Sequence, residues 1–144
     1  MIHLELITLS GRHIDREVHE LIVPTTAGDI AIYGGHAPLL GAVSPGVLSI
    51  RDKRETKDHE REQFGVYSGT IEVLDNKIRL LVDEVDTPED VVSAEAEAAL
   101  KRARELKDKA GDAVSLAEAQ SMMDRQAVRL RLAETRKKAS KKRY

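Results

Sequence analysis

Cysteine is absent from this 144-residue chain, and Tyr33, Phe64, Tyr67 and Tyr144 are its only aromatic rings. Without thiols there is neither a disulfide framework nor a thiolate metal site, and a reducing compartment is compatible. Four rings give little from which to build a stacking surface for single-stranded nucleic acid. No apolar run approaches the roughly 18 residues of a membrane span, and Met1-Ile2-His3-Leu4-Glu5 lacks the basic-then-apolar order of a leader. The protein is therefore expected to be soluble, with any membrane association made through a partner. Catalytic words are missing too: no glycine precedes Lys-Ser or Lys-Thr as in a phosphate loop, and neither G-x-G-x-x-G nor G-x-S-x-G occurs. Neither a catalytic residue nor a cofactor is expected.

What is present is unevenly distributed. The net charge of −2 divides into +6 from Arg136, Lys137, Lys138, Lys141, Lys142 and Arg143, and hence −8 for the remainder. A basic arm on an acidic body suits an acidic protein surface, anionic lipid or nucleic acid, all contacts that salt weakens. A solvated helix end is the plainer reading of the same residues. The length allows one modest core and one small appendage.

Up to residue 86 the pattern is short and β-like. Alternation over His3 to Leu9 and Asp29 to Tyr33, and β-rich runs at Val18 to Val23, Val47 to Ile50, Gln63 to Tyr67, Thr70 to Leu74 and Ile78 to Val82, predict strands. Asp75-Asn76-Lys77 reads as a tight hairpin turn. Many short strands joined by turns predict a β-sandwich or flattened barrel. Arg51 to Glu62 is too polar to bury and is expected to protrude as a hydrated hairpin.

Residues 87–144 read as helical. Thr87 can cap and Pro88 suits a first helical position, so a helix is expected to begin there. Its seam is Val92, Ala96, Ala99, Ala103, Leu106 and Ala110, and Gly111-Asp112 stops it. Ser115 with Glu118 has capping-box spacing, and Leu116, Ala119, Met123, Ala127 and Leu130 continue a second seam. The expected product is an antiparallel two-helix hairpin, each helix about 30 to 35 Å long, and the whole fold is α+β. A methyl gains much less on burial than the ~1.5–3 kcal/mol of a full Leu or Val side chain, so an alanine seam holds weakly. Alanine is also the best helix former, so each helix could survive separation if a partner replaced the lost contacts. A rigid β body with a detachable arm follows; a permanent small-residue pair packed flat on the body is the competing reading.

Two constellations resemble sites. His13, Asp15, Glu17 and His19 share a parity and would line one face of an extended strand, as metal ligands do. A solvated strand face explains the same stripe, and no metal is expected. His36, in Gly35-His36-Ala37-Pro38, has no acid or base nearby in sequence and reads as a hydrogen-bonded structural histidine.

The ordered set Gly28, Asp29, Ile30, Ile32, Gly35, His36, Ala37, Pro38, Leu39 and Leu40, then Pro45, Gly46, Val47 and Leu48, resembles the epsilon chain of F-type ATP synthase. Val66-Tyr67-Ser68-Gly69-Thr70-Ile71-Glu72-Val73 is similar to a later strand pair of that family, with Thr70 where glycine is usual. The resemblance implies a non-catalytic central-stalk subunit. Its sandwich would couple the gamma chain to the membrane rotor ring of c subunits for proton-driven ATP synthesis. Its helical arm would inhibit ATP hydrolysis at the alpha and beta catalytic chains, all at the cytoplasmic face of the inner membrane, peripherally held. It further implies that Ala27, Gly28, Asp29, Ile30 and His36 face the ring or gamma. The basic face Arg125, Arg129, Arg136, Lys137 and Lys138 would approach an acidic segment of the catalytic chains.

Some bacterial relatives bind ATP through an [IL]-D-x-x-R-A motif with arginines in the following helix. Here the stretch is Val91-Val92-Ser93-Ala94-Glu95-Ala96, without the acid or the arginine. Arg125 and Arg129 alone match, so nucleotide binding is expected to be absent or weak. The rival from another class is a small β-barrel nucleic-acid-binding protein with a basic tail.

Overall fold

Alternation of apolar and polar side chains builds the sandwich. In β8 (Gly69–Leu74) Ile71 and Val73 are buried while Thr70 and Glu72 face out, and in β9 (Lys77–Val82) Ile78, Leu80 and Val82 are buried. Period-two burial of this kind is what a sheet with one wet face requires. The computed structural model describes residues 1–142, with side chains through Lys138; Arg143, Tyr144 and the side chains of Lys141 and Lys142 in the basic tail lie outside the described residues.

The remaining strands are β1 (Ile2–Thr8), β2 (Gly11–Val18), β3 (Glu20–Thr25), β4 (Gly28–Tyr33), β5 (Leu39–Val43), β6 (Gly46–Arg51), β7 (Glu62–Val66) and β10 (Val85–Asp86). They run in the order β10-β7-β6-β3-β5-β8-β9-β1-β2, with β4 paired to β3. The single pair Thr25 with Val43 joins β3 to β5 and turns the corner between the layers. All pairings are antiparallel except β1 with β9, which carries the chain's first strand alongside its ninth. Between the layers lie Leu4, Leu6, Leu21, Ile32, Leu48, Ile50, Ile71 and Leu80, each at most 1% exposed. Asp75 and Asn76 take left-handed backbone at φ 49° and 60°, in the two-residue turn between Leu74 and Lys77. That is the hairpin the sequence predicts.

The sandwich and the pair of helices are as expected; several parts differ. β2, β5 and the two-residue β10 are not among the strands the sequence predicts. β2 offers only Ile14 and Val18 to the core among charged residues, and β5 is interrupted by Gly41. The polar run does not simply protrude. It folds through a 3₁₀ turn at Asp58–Glu60, and Arg61 is drawn in until its side chain is 10% exposed, because the buried Glu20 needs a counter-charge.

The first helix does not begin at Pro88. Pro88–Asp90 makes one 3₁₀ turn, closed by the Thr87 backbone N–H donating to the Asp90 carboxylate at 3.0 Å. The chain then runs extended through Val91 and Val92, because burying the Val91 side chain pulls the backbone out of the helical path. Helix α1 spans Ser93–Asp108 and α2 spans Ala113–Lys142. At ~1.5 Å per residue their lengths are about 24 and 45 Å, not two equal rods. Asp112, rather than Ser115, caps α2: the Ser115 N–H donates to Asp112 Oδ1 at 2.7 Å.

The helices run antiparallel, with the Lys107 ammonium donating to Gln120 Oε1 at 2.8 Å near the connection. Ala96, Ala103 and Ala119 are buried, but Leu106 and Val92 are half-exposed and Ala127 is exposed. A second apolar face of α2, absent from the sequence reading, explains this difference. Val128 and Leu132 press on β7, where a methyl placed on Gly65 would meet Leu132 Cδ1 at 2.8 Å and Val128 Cγ1 at 3.0 Å. Val91, Ala96, Leu132 and Ala133 form one small buried cluster, separate from the interior of the sandwich.

Candidate functional site

Three surfaces carry the residues singled out from sequence. The first is the turn from β3 to β4. Thr25 Oγ1 donates to the Gly28 carbonyl at 2.6 Å and accepts from the Ala27 N–H at 3.2 Å, while Gly28 takes φ 110°, a conformation glycine adopts without steric cost. Ala27, Gly28 and Asp29 are exposed and Ile30 is half-buried. His36 is not with them. It follows β4 at the far end of a six-residue strand, about 20 Å away at ~3.3 Å per residue.

There the His36 N–H donates to the Tyr33 carbonyl at 3.2 Å and its Nδ1–H to the Ala37 carbonyl at 2.7 Å. Asn76 fixes the same end by accepting from the Gly35 N–H at 2.9 Å and donating to the Met1 carbonyl at 3.0 Å. The five residues read from sequence as one facing set are thus divided between two ends of the sandwich.

The second surface is the stripe on β2. Its carboxylates are already engaged by a histidine from the neighbouring strand: His3 Nε2–H donates to Asp15 at 2.5 Å and Nδ1–H to Glu17 at 3.1 Å. The Asp15 contact is the main reason the His3 pKa is raised. His13 instead packs edge-on against Phe64, and His19 against Tyr33. Among the described residues no three potential ligands are arranged to hold a metal ion.

The third surface is where α2 meets the sandwich. Arg125 forms an ion pair with Glu84, and its guanidinium lies 4.4 Å from the centre of the Tyr67 ring. The Tyr67 hydroxyl donates to Asp86, and Arg129 Nε approaches Asp86 Oδ2 at 3.7 Å. Burial first, and then the hydrogen bond to Asp86, push the Tyr67 phenol well above its ordinary pKa. Arg129 also donates to the Asp90 carbonyl at 3.3 Å and Arg136 to the Pro88 carbonyl at 3.4 Å. Lys137 and Lys138 are exposed. Three of the five basic residues expected to face another chain therefore lie against this chain's own acidic segment. Sequence gives that segment, Asp83 to Asp90, only a helix start at its second half and no role as the arginines' partner. Five acids in eight residues were its signal.

The nucleic-acid alternative is not favoured. Phe64 and Tyr67 are 4% and 7% exposed and cannot stack on bases, and the Tyr33 hydroxyl is held by Glu20 at 2.7 Å. Among the described residues no helix is long and apolar enough to cross a membrane.

Residues 1–88 match the family model for the β-sandwich domain of the ATP synthase delta/epsilon chain. The ATP synthase epsilon chain of Chloroflexus aggregans is 33% identical over 136 residues, 94% of either chain. That of Streptomyces avermitilis is 33% identical over 103 residues, 72% of this chain and 80% of the relative. Among solved structures, a chain of the Euglena gracilis mitochondrial ATP synthase, in an assembly of OSCP, F1 and c-ring, superposes with a TM-score of 0.79. It has 19% identity over 92% of this chain and 80% of its own. A chain from the central stalk and c-ring of the Tetrahymena thermophila enzyme gives 0.61, with 14% identity over 90% and 93%.

Proposed function

This chain belongs to the delta/epsilon chain family of ATP synthase, and from that premise we propose that it is the epsilon-type rotor subunit of a central stalk, coupling a gamma chain to the c-ring and restraining ATP hydrolysis through its helices. It is a subunit of the synthase complex, and we read it as a non-catalytic one: the sequence carries no phosphate loop, and the histidine–carboxylate cluster at the second surface, His3 with Asp15 and Glu17, has no nucleophile among its hydrogen-bond partners. ATP formation and proton passage belong to other chains. Held through gamma and the ring, it sits peripherally, on the cytoplasmic side of a bacterial inner membrane.

On this reading residues 1–86 are the coupling body and 87–144 the regulatory arm. Ala27, Gly28, Asp29 and Ile30 at the first turn meet the ring, and His36, at the opposite end, serves gamma or the fold itself. Nucleotide is not required: the arginines that match the ATP-binding pattern, Arg125 and Arg129, are already neutralised by Glu84 and Asp86.

The observation that carries the arm's role is the smallness of its apolar seat. Four buried residues, two of them alanine, with Val47 and Leu130 partly buried against them and Val128 over Gly65, are set apart from the sandwich interior. At ~1.5–3 kcal/mol for each larger side chain, a partner offering comparable burial can displace it. Hydrolysis by the reconstituted catalytic assembly is expected to rise when the chain is shortened to end at Thr87. Equal rates with full-length and shortened chains would remove the inhibitory role and leave coupling intact. Because native cysteine is absent, a single cysteine replacing Ala27 and alkylated with a maleimide photo-cross-linker is expected to cross-link to the ring on illumination, whereas one replacing His36 is not.

A further inference from the structure

We propose that Glu84 and Asp86 form an internal acidic dock: they occupy Arg125 and Arg129 while α2 lies on the sandwich, in place of the acidic surface the same guanidinium groups would meet on another chain. This rests on the reading that the released arm restrains hydrolysis, and it assigns the element that sets how often release occurs.

The spacing of the two pairs supports it. Glu84 and Asp86 flank Val85, which pairs with Val66 of β7. Residues two apart on an extended segment share a side and stand about 6.6 Å apart. Arg125 and Arg129 are one helical turn apart, about 6 Å along the axis and on one face. The strand dyad and the helix dyad are in register, as their contacts attest: Arg125 with Glu84, Arg129 with Asp86.

Tyr67 sets the geometry. Its hydroxyl orients Asp86 and its ring carries Arg125, so one 7%-exposed side chain of the body addresses both ion pairs. An acidic helix on another chain, with carboxylates one turn apart, would present the same pattern. The two engagements are mutually exclusive.

The internal dock acts at the effective concentration of a tethered segment, millimolar for short connections, so a partner has to outcompete it. The fit is incomplete, since Arg129 Nε and Gln126 Oε1 on α2 are buried without a hydrogen-bond partner. Such groups favour an alternative state in which they are satisfied. Ion pairing also makes the latch sensitive to salt at a screening length of about 8 Å in physiological buffer, whereas the contact of Leu132 and Val128 with Gly65 is not.

Amide hydrogen exchange of α2 in the full-length chain at low and high salt, beside hydrolysis by the reconstituted assembly, tests the dock. In the Glu84→Gln, Asp86→Asn double variant, α2 is expected to exchange roughly two- to thirtyfold faster at low salt, the range for two partly exposed ion pairs. That variant is expected to lose the acceleration by salt that the ion pairs should give the parent, and to inhibit hydrolysis more strongly. Reversing one pair, Glu84→Arg with Arg125→Glu, is expected to restore slow exchange.

Leu132→Ala, which removes the apolar contact of α2 with Gly65 and leaves Tyr67 and the acids in place, is expected to show that release is detectable. If it speeds exchange while the double variant does not, the dock is overturned. If both speed exchange and neither alters hydrolysis, the dock stands and the inhibitory reading falls.

Discussion

The interior of the sandwich and the seam of the hairpin are built from different residues. Between the sheets lie Ile2, Leu4, Leu6, Leu21, Leu48, Ile71 and Leu80, nearly inaccessible to water, whereas the helices meet through Ala96, Ala103 and Ala119. The first kind of contact stabilises from within. The second leaves the helices dependent on what they lie against, which here is a glycine, a tyrosine and a pair of acids. On the proposed function, one chain combines a self-sufficient body with an arm whose position is conditional.

Core truncation should separate the two regions most sharply. Leu80→Ala in β9 is expected to cost about 2–5 kcal/mol of global stability, read as a lower midpoint in denaturant. Leu132→Ala, equally buried, should leave that midpoint nearly unchanged and instead speed hydrogen exchange in α2. An equal loss of midpoint would mean that body and arm unfold as one unit.

Asp112→Ala should have a smaller effect, a partial loss of helical circular dichroism, because the first turn of α2 loses its cap. The Ser115 N–H holds the Asp112 carboxyl below its ordinary pKa, so its contribution is present above the ordinary aspartate value, about 3.9, and is lost as pH falls through the depressed one. Acid should therefore fray α2 before it melts the sheets.

The smallest effect belongs to the body. The His3 imidazolium, stabilised chiefly by Asp15, contributes fully below the ordinary histidine value, about 6.5, and progressively less as pH rises through the raised one. A ring-proton titration by NMR should place the midpoint above the ordinary value, and Asp15→Asn should bring it down.

Strands with clean alternation, such as β8 and β9, were legible from sequence because period-two burial leaves a direct trace, and the turn at Asp75-Asn76 because few residues accept its backbone. β2 was hidden by charge: with two core residues in eight positions it reads as a loop. The alanine seam was recovered only in part, because α2 uses a second face and periodicity does not say how many neighbours a helix has. Of the site residues, sequence named the arginines but not their partners. Contacts between Arg125 and Glu84, 41 positions apart, depend on where α2 comes to rest, which no local pattern encodes. His36 is grouped with Ala27 by the resemblance alone; the strand β4 between them is the element that carries the two to opposite ends.

The inequality of the two helices has a mechanical outcome. With joints at Val91-Val92 and at Gly111-Asp112, the short helix is a strut and the long one a boom. Folded together they reach no farther than the boom itself; straightened end to end they would span about 70 Å at ~1.5 Å per residue. Shortening the strut would draw in the boom's radius without touching its tip, so the reach of the proposed arm is written in the length of the helix that carries none of the predicted contacts.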